Sequence, residues 1–413
     1  MTTINTSSSS GAFSLPDGAP SAARATLKLL LRLKHGTLTV KLPDGSVQRF
    51  GSGQAPQASL HLLNWNVCSA ALKSGDIGFA ESYIAGDWTT PHLTELLQVF
   101  ILNRKEVEDV IYGTWLGRFA YRIKHLLNRN TKANSQKNIH AHYDLGNAFY
   151  ELWLDGTMNY SSAIFETPET SMKDAQHAKV RRALRMAQVK PGDRVLEIGC
   201  GWGALAEKAA QEFDANVVGV TLSTEQLEFA QRRMQREGFA EKADLRLQDY
   251  RDIGKTTQDA PFDAICSIEM VEAVGREYWQ EYFQTVHRLL KPGGYACIQS
   301  IVIADELFER YLTSTDFIQQ YVFPGGCLPC PKEFRAQVAA AGLELVDEFS
   351  FGQDYAHTLQ LWREQFAAQE AHVMQLGFDR RFIRIWEFYL SYCEAAFLEG
   401  NTDVVQYTLR KPA

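Results

Sequence analysis

The sequence predicts an α/β chain built on a doubly wound, Rossmann-like sheet, with a small α+β domain ahead of it. Three observations predict it. From about residue 185, short β-type runs at 194–198, 216–220, 243–247, 262–268 and 295–303 alternate with helical segments. Such alternation makes parallel strands joined by helical crossovers. The first run ends in Val195-Leu-Glu-Ile-Gly-Cys-Gly-Trp-Gly203, with three glycines at alternate positions just before a helix. Upstream, residues 37–40 and 46–50 flank Pro43-Asp-Gly45 and read as a β-hairpin.

Taken in order, residues 1–20 are rich in Ser, Gly, Thr and Pro and read as a disordered tail. Residues 21–34 mix Ala and Leu with Arg and Lys at helical spacing, which predicts a basic amphipathic helix. With the hairpin and further short elements, including Phe79–Trp88, they outline a small domain over 21–110. Residues 111–142 carry Arg118, Arg122, Lys124, Arg129, Lys132 and Lys137 and no acid, interleaved with Tyr112, Trp115, Phe119 and Tyr121. This basic amphipathic linker suits an anionic membrane surface, where each cation contributes about 1 kcal/mol. It equally suits a solvated connection between domains.

The rest, 143–413, holds the α/β pattern. Its first helix is expected over roughly 203–213. The second follows Ser223, a capping residue, with Gln226 in the first turn. A third is expected over 277–289, after which Lys291-Pro-Gly-Gly294 turns into the fifth strand. Residues 356–399 are largely helical and aromatic, suited either to a lid over an apolar pocket or to core packing.

Composition narrows the function. A chain of 413 residues with 45% apolar residues can bury two or three domain cores. A net charge of −7 argues against nucleic acid as a partner. No apolar run reaches the roughly 18 residues of a membrane span, and the N-terminus lacks the apolar core of a secretory signal. Seven scattered cysteines suggest reduced thiols and a cytoplasmic location. Cys327-Leu-Pro-Cys330 is a single C-x-x-C with no second pair spaced for zinc, so no metal site is expected.

The glycine loop carries the cofactor reading. Gly199, Gly201 and Gly203 let the backbone approach a ligand that a Cβ would exclude. The next helix aims its N-terminus at that ligand. The order is G-x-G-x-G-A rather than G-x-G-x-x-G, and an NAD site would also want an acid about 20 residues on. Here the second strand ends in Thr221, followed by Ser223 and Thr224. The loop therefore reads as a cradle for S-adenosylmethionine, whose methionine carboxylate needs less room than a pyrophosphate.

Further motifs extend this reading: His142-Tyr-Asp-Leu-Gly-Asn147, Met158-Asn-Tyr-Ser-Ser162, Gln248-Asp-Tyr-Arg-Asp252, Met270-Val-Glu-Ala-Val-Gly275, Phe323-Pro-Gly-Gly-Cys-Leu-Pro329, Asp354-Tyr355 and Tyr389-Leu-Ser-Tyr-Cys393. With them the chain resembles the cyclopropane-fatty-acid synthases from about Ser74 to its C-terminus. The resemblance implies a class I methyltransferase sheet with helical insertions. It implies a homodimer, peripherally bound to the inner face of the membrane, acting on unsaturated phospholipid. It assigns cofactor contacts to Tyr143, Tyr160, Ser161, Gly199, Gly201, Trp202, Gly203, Thr221, Ser223, Gln226, Gln248, Asp249 and Tyr250.

The implied chemistry adds a methyl(ene) group to a lipid double bond through a carbocation, giving a cyclopropane. In the family the base is a bound bicarbonate held by a Cys, a Glu, a His, a Tyr and a backbone N–H. Glu272 and Tyr355 match, and Ile301 falls at the backbone position. Ser162 stands at the Cys position, Gln299 at the His position, and Ala273 where a His usually follows the Glu. Bicarbonate bound through Ser162, Gln299 and Tyr355 is one reading of the base. Glu272 itself is the other, since burial raises a carboxyl pKa. Cys393 matches a cysteine often marked catalytic. The departures suit a branch that methylates without closing the ring and relies on a partner oxidoreductase for any reduction. The alternatives are a methyltransferase for small O or N acceptors and a non-catalytic membrane-binding protein with a relic cofactor site.

Overall fold

The computed structural model describes residues 18–107, 145–255, 259 and 261–413. The basic stretch 111–142, Tyr143 and the first 17 residues lie outside the described residues. The chain divides into two compact units, Met1–Gly117 and Arg118–Ala413.

The first unit is built on a four-stranded sheet. Its strands are β1 (Thr37–Lys41), β2 (Val47–Gly51), β3 (Gln57–Leu62) and β4 (Trp88–Thr89), in the order β2-β1-β3-β4. The hairpin forms as the Pro-Asp-Gly turn requires, with Leu38 opposite Phe50. The helix Ser21–Leu30 is shorter than the sequence suggests, and its apolar stripe of Ala23, Leu27 and Leu30 is buried within this unit. Trp88 is also buried. It stacks on Phe79 at 4.4 Å and donates its indole N–H to Ser82 Oγ at 2.8 Å.

The second unit is α/β. Its sheet contains β5 (Arg194–Ile198), β6 (Asn216–Thr221), β7 (Ala243–Leu247), β8 (Phe262–Ile268), β9 (Leu290–Ile303), β10 (Glu344–Ser350) and β11 (Thr402–Arg410). The order is β10-β11-β9-β8-β5-β6-β7. Neighbours from β7 through β9 are parallel, and β11 runs antiparallel between β9 and β10. Side chains alternate between two cores, as strand geometry demands. Leu196 and Ile198 face one core, and Val195 the other. Cys266 and Cys297 fill the second core as small apolar groups.

Sequence reasoning stops at five strands, whereas the sheet gains β10 and β11. The fifth strand also begins earlier than expected. Gly293 N–H donates to the Lys411 carbonyl at 2.9 Å and Lys411 N–H donates to Gly294 at 3.0 Å, so the glycine turn is stitched to the end of β11. The third helix starts at Trp279 after a single 3₁₀ turn, Arg276–Tyr278. The C-terminal region forms helices Gly352–Ala368, Glu370–Gln375 and Arg380–Leu398. From β5 the chain winds outward to β6 and β7, then returns to β8 and continues to β9. The winding reverses between β5 and β8, and ligands bind beyond the carboxyl ends of strands at such a point.

Candidate active site

A cavity opens at that switch point. Gly199 and Gly201 follow β5 and line it, together with Tyr160, Ser161, Trp202, Thr221, Gln226, Gln248, Asp249 and Tyr250. Gly199 has φ +83°, and a Cβ there would lie 2.3 Å from Met270 Sδ. Gly201 has φ +49°, and a Cβ there would meet no protein atom within 4 Å. Two polar atoms of the lining residues, Glu197 Oε2 and the Tyr250 hydroxyl, are buried without a hydrogen-bond partner. A cradle open at Gly201 and polar atoms with unused capacity fit a compact polar ligand such as adenosylmethionine.

Two of the expected contacts have a role in the frame. Gly203 has φ +84°, and a Cβ there would come within 2.9 Å of Ala230 Cβ, so this glycine lets helices Ala204–Phe213 and Thr224–Arg236 pack closely. Ser223 is the N-cap of the second of these helices and accepts the Gln226 N–H at 3.3 Å. Asp249 lines the cavity, with its carboxylate held by the Arg251 guanidinium at 2.6 and 2.9 Å.

Next to this cavity lies a second, apolar one. Its walls include Tyr311, Ile318, Phe323, Leu359, Tyr389 and Phe397. Cys393 lines it as well. Burial drives that thiol far above its ordinary pKa, which favours the protonated form. Tyr160, Glu269 and Ala273 line both cavities.

Glu269 is the residue that sequence reasoning missed. It follows the end of β8 at φ 54°, a left-handed conformation that bulky residues rarely adopt. One carboxylate oxygen accepts the Ser162 backbone N–H at 2.9 Å and the Gln299 side-chain N–H at 2.8 Å. The other accepts the Tyr355 hydroxyl at 2.8 Å. So Ser162, Gln299 and Tyr355 do come together, but around a carboxylate of the chain itself. Ser162 reaches it through its backbone, because its hydroxyl donates to the Ala163 carbonyl at 3.0 Å.

The orientation of Gln299 follows from its neighbours. Arg182 can only donate, and it donates to Gln406 Oε1 at 2.8 Å. Gln406 must then turn its amide N–H outward, to Gln299 Oε1 at 3.0 Å. Gln299 is left with its own N–H facing Glu269. The register Gln406↔Gln299 between β11 and β9 makes this relay possible.

Burial raises the pKa of Glu269, while the Ser162 N–H, the Lys179 charge, the Tyr355 hydroxyl and the Gln299 amide pull it down. Lys179 is fully buried and donates to Ser161 Oγ at 2.5 Å. Its own pKa is lowered to about 8 by burial, against the charges of Glu269, Asp155 and Glu197. Tyr355 is pushed well up by burial and by Glu269, so it remains a donor.

Glu272 sits differently. One oxygen accepts the Ile301 backbone N–H and the other is buried without a partner. Burial, then the charge of Glu269, raises its pKa to about 8. Being raised above the unfolded value, this carboxyl stabilises the fold fully only below about pH 4.5, and that contribution is lost as pH rises toward 8. Glu272→Gln should therefore raise the melting temperature by a few degrees or more at about pH 8.5 and by almost nothing near pH 5. Thermal melts across that range test it; a pH-independent difference would contradict a neutral Glu272.

The C-x-x-C pair has a local role. Cys330 caps helix Pro331–Ala340 by accepting the Glu333 N–H at 3.4 Å. Burial holds the Cys327 thiol up at about 12 and raises that of Cys330. Among the described residues no cluster suited to a metal ion occurs, and no helix is long and apolar enough to cross a membrane.

The chain is similar to known proteins in both sequence and fold. The profile of the family described as Mycolic acid cyclopropane synthetase matches residues 130–407. Tuberculostearic acid methyltransferase UfaA1 of Mycobacterium tuberculosis is 36% identical over 404 residues, 95% of this chain and 92% of that protein. Cyclopropane-fatty-acyl-phospholipid synthase of Escherichia coli is 34% identical over 355 residues, 86% of this chain and 88% of that one. The solved structure of mycolic acid cyclopropane synthase CmaA1 complexed with SAH and CTAB aligns at a TM-score of 0.62 and 32% identity, over 67% of this chain and 98% of that chain.

Proposed function

The chain belongs to the mycolic acid cyclopropane synthetase family, and from that membership we propose that it methylates the double bond of an unsaturated phospholipid acyl chain and releases the product without closing a ring. It is an S-adenosylmethionine-dependent methyltransferase with a class I methyltransferase fold. The observation that carries the proposal is the meeting of the polar cradle and the apolar cavity at Tyr160, Glu269 and Ala273. An acyl chain in the apolar cavity brings its double bond to that junction.

Bound adenosylmethionine supplies a methyl group from its sulfonium to one alkene carbon, which leaves the other alkene carbon cationic. The residues of the chain do the rest. The cradle fixes the donor in line with the alkene, which supplies much of the rate through orientation alone. Tyr160 and Tyr389, bonded hydroxyl to hydroxyl at 2.7 Å, both line the apolar cavity, where an electron-rich ring stabilises a nearby cation. A carboxylate then removes one proton. Loss from the new methyl with closure gives a ring; loss from a chain carbon next to the cation, or from the methyl after a hydride has shifted from the methylated carbon to the cationic one, leaves an alkene.

Two observations favour the ring-free outcome. Ser162, Gln299 and Ala273 replace the Cys and the two His of the ring-forming pattern. A relative that spans 95% of this chain is named a methyltransferase. Reduction to a saturated branch then falls to a separate oxidoreductase, since the sequence carries one glycine-rich nucleotide loop, Gly199–Gly203. In this reading the enzyme acts as a peripheral homodimer at the cytoplasmic membrane surface, as the family resemblance implies.

Mass spectrometry of unsaturated phospholipid vesicles incubated with the protein and methyl-deuterated adenosylmethionine tests the proposal. The expected chain gains CD3, or a CD2 methylene, and keeps an alkene. A gain of CD2 with no alkene left would mean ring closure. No label in lipid would remove the lipid substrate.

A further inference from the structure

We propose that Glu269 is the base of this reaction, a carboxylate of the chain itself occupying the place that bicarbonate holds in the ring-forming relatives. The inference rests on the methyl-transfer reading above. The resemblance assigned five ligands to bicarbonate at positions 162, 272, 299, 301 and 355. In this chain three of those positions donate to Glu269: Ser162 through its backbone, Gln299 through its amide and Tyr355 through its hydroxyl. The remaining pair close on each other, Ile301 N–H to Glu272. The donor set that would hold the anion is therefore already used by side chains.

The position suits the step. Glu269 lines both cavities, whereas Glu272 lines only the apolar one. Three donors favour the ionised form of Glu269, and the relay from Arg182 through Gln406 leaves Gln299 facing it only as a donor. The backbone strain also argues for function. A glutamate at φ 54° costs on the order of 1 kcal/mol and persists where its surroundings hold it. Its N–H is fixed to the Gln299 carbonyl at 2.8 Å.

In the step itself a C–H bond of the cation breaks and an Oε–H bond forms on Glu269. The C–H electron pair becomes the new C=C bond, or the closing C–C bond if a ring forms. Neutral Glu269 returns its proton to solvent when the product leaves.

The test compares wild type, Glu269→Gly and Glu269→Gln in bicarbonate-free buffer and with added bicarbonate or formate. Wild type is expected to turn over at the same rate in all three. Both variants should lose on the order of 10³-fold. The glycine variant relieves the left-handed strain and opens a site with three donors, so bicarbonate or formate should restore roughly tenfold or more of its rate. The glutamine variant, with the space still filled, should not be rescued. Carbon-13 bicarbonate should bind Glu269→Gly and not wild type, and rates are compared at saturating adenosylmethionine so that a change in cofactor affinity does not mimic a lost base. A wild type that loses activity without bicarbonate and regains it on addition overturns the inference and leaves the methyl-transfer reading intact. Near-normal activity of Glu269→Gln overturns it too. A wild type that labels no lipid with or without bicarbonate overturns both.

Discussion

Gly201→Val is expected to weaken adenosylmethionine binding by roughly 100-fold or more, a loss of about 3 kcal/mol, while the protein stays folded. The reason is the open space at this glycine. A Cβ at residue 201 meets no protein atom within 4 Å, and the residue lines the cavity. The added side chain therefore stands where the ligand must come, not against the protein core. Its backbone, at φ +49°, tolerates a side chain with a strain of about 1 kcal/mol. Gly199→Ala is the contrasting case. Its Cβ would lie 2.3 Å from Met270 Sδ, at φ +83°, so the change should lower the melting temperature as well as the affinity. Calorimetric titration and thermal melts of the two variants separate the effects. Wild-type affinity in Gly201→Val would move the cofactor away from the glycine loop.

Gln299→Leu is expected to slow turnover by roughly 10- to 100-fold at about pH 7 and to recover most of that loss near pH 9. The Gln299 amide is one of the groups that pull the Glu269 pKa down against its burial. Without it the pKa rises further, a smaller fraction of the carboxylate is ionised at neutral pH, and the acid limb of the pH–rate profile moves to higher pH. Gln299 is fully buried, and its loss also deprives Gln406 of an acceptor, so a cost of about 1–3 kcal/mol in stability should accompany it. Adenosylmethionine affinity should not change, because Gln299 does not line the cofactor cavity. A uniform fall in rate at every pH would mean that Gln299 acts only on packing.

Much of the frame was legible in the sequence because it is written locally. The runs 194–198, 243–247 and 262–268 are strands in the structure, and Ser223 caps its helix. Period-two alternation, capping chemistry and glycine punctuation each act over a few residues. The missing strands β10 and β11 illustrate the limit. Glu344–Ser350 is a polar edge strand with exposed alternate residues, and Thr402–Arg410 is paired on both sides only through partners far away in the chain. A signal for Glu269 was present in Ser267-Ile-Glu-Met-Val-Glu272, where two acids follow the end of a strand. Nothing local distinguishes the two.

The sequence by itself determined the cofactor class and the sheet that carries it, since a glycine loop between strand and helix constrains its own backbone. The family resemblance also named Ser162, Gln299 and Tyr355 as residues that share a site. Only the tertiary structure decided what they share it around. Ser162 and Glu269 are 107 residues apart and Glu269 and Tyr355 are 86 apart. Which carboxylate receives their hydrogen bonds depends on the register of β11 against β9 and on Arg182 turning two amides in succession. A hydrogen bond is short and directional, so its partner is fixed by three-dimensional placement to within a few tenths of an ångström, a precision that sequence spacing does not carry.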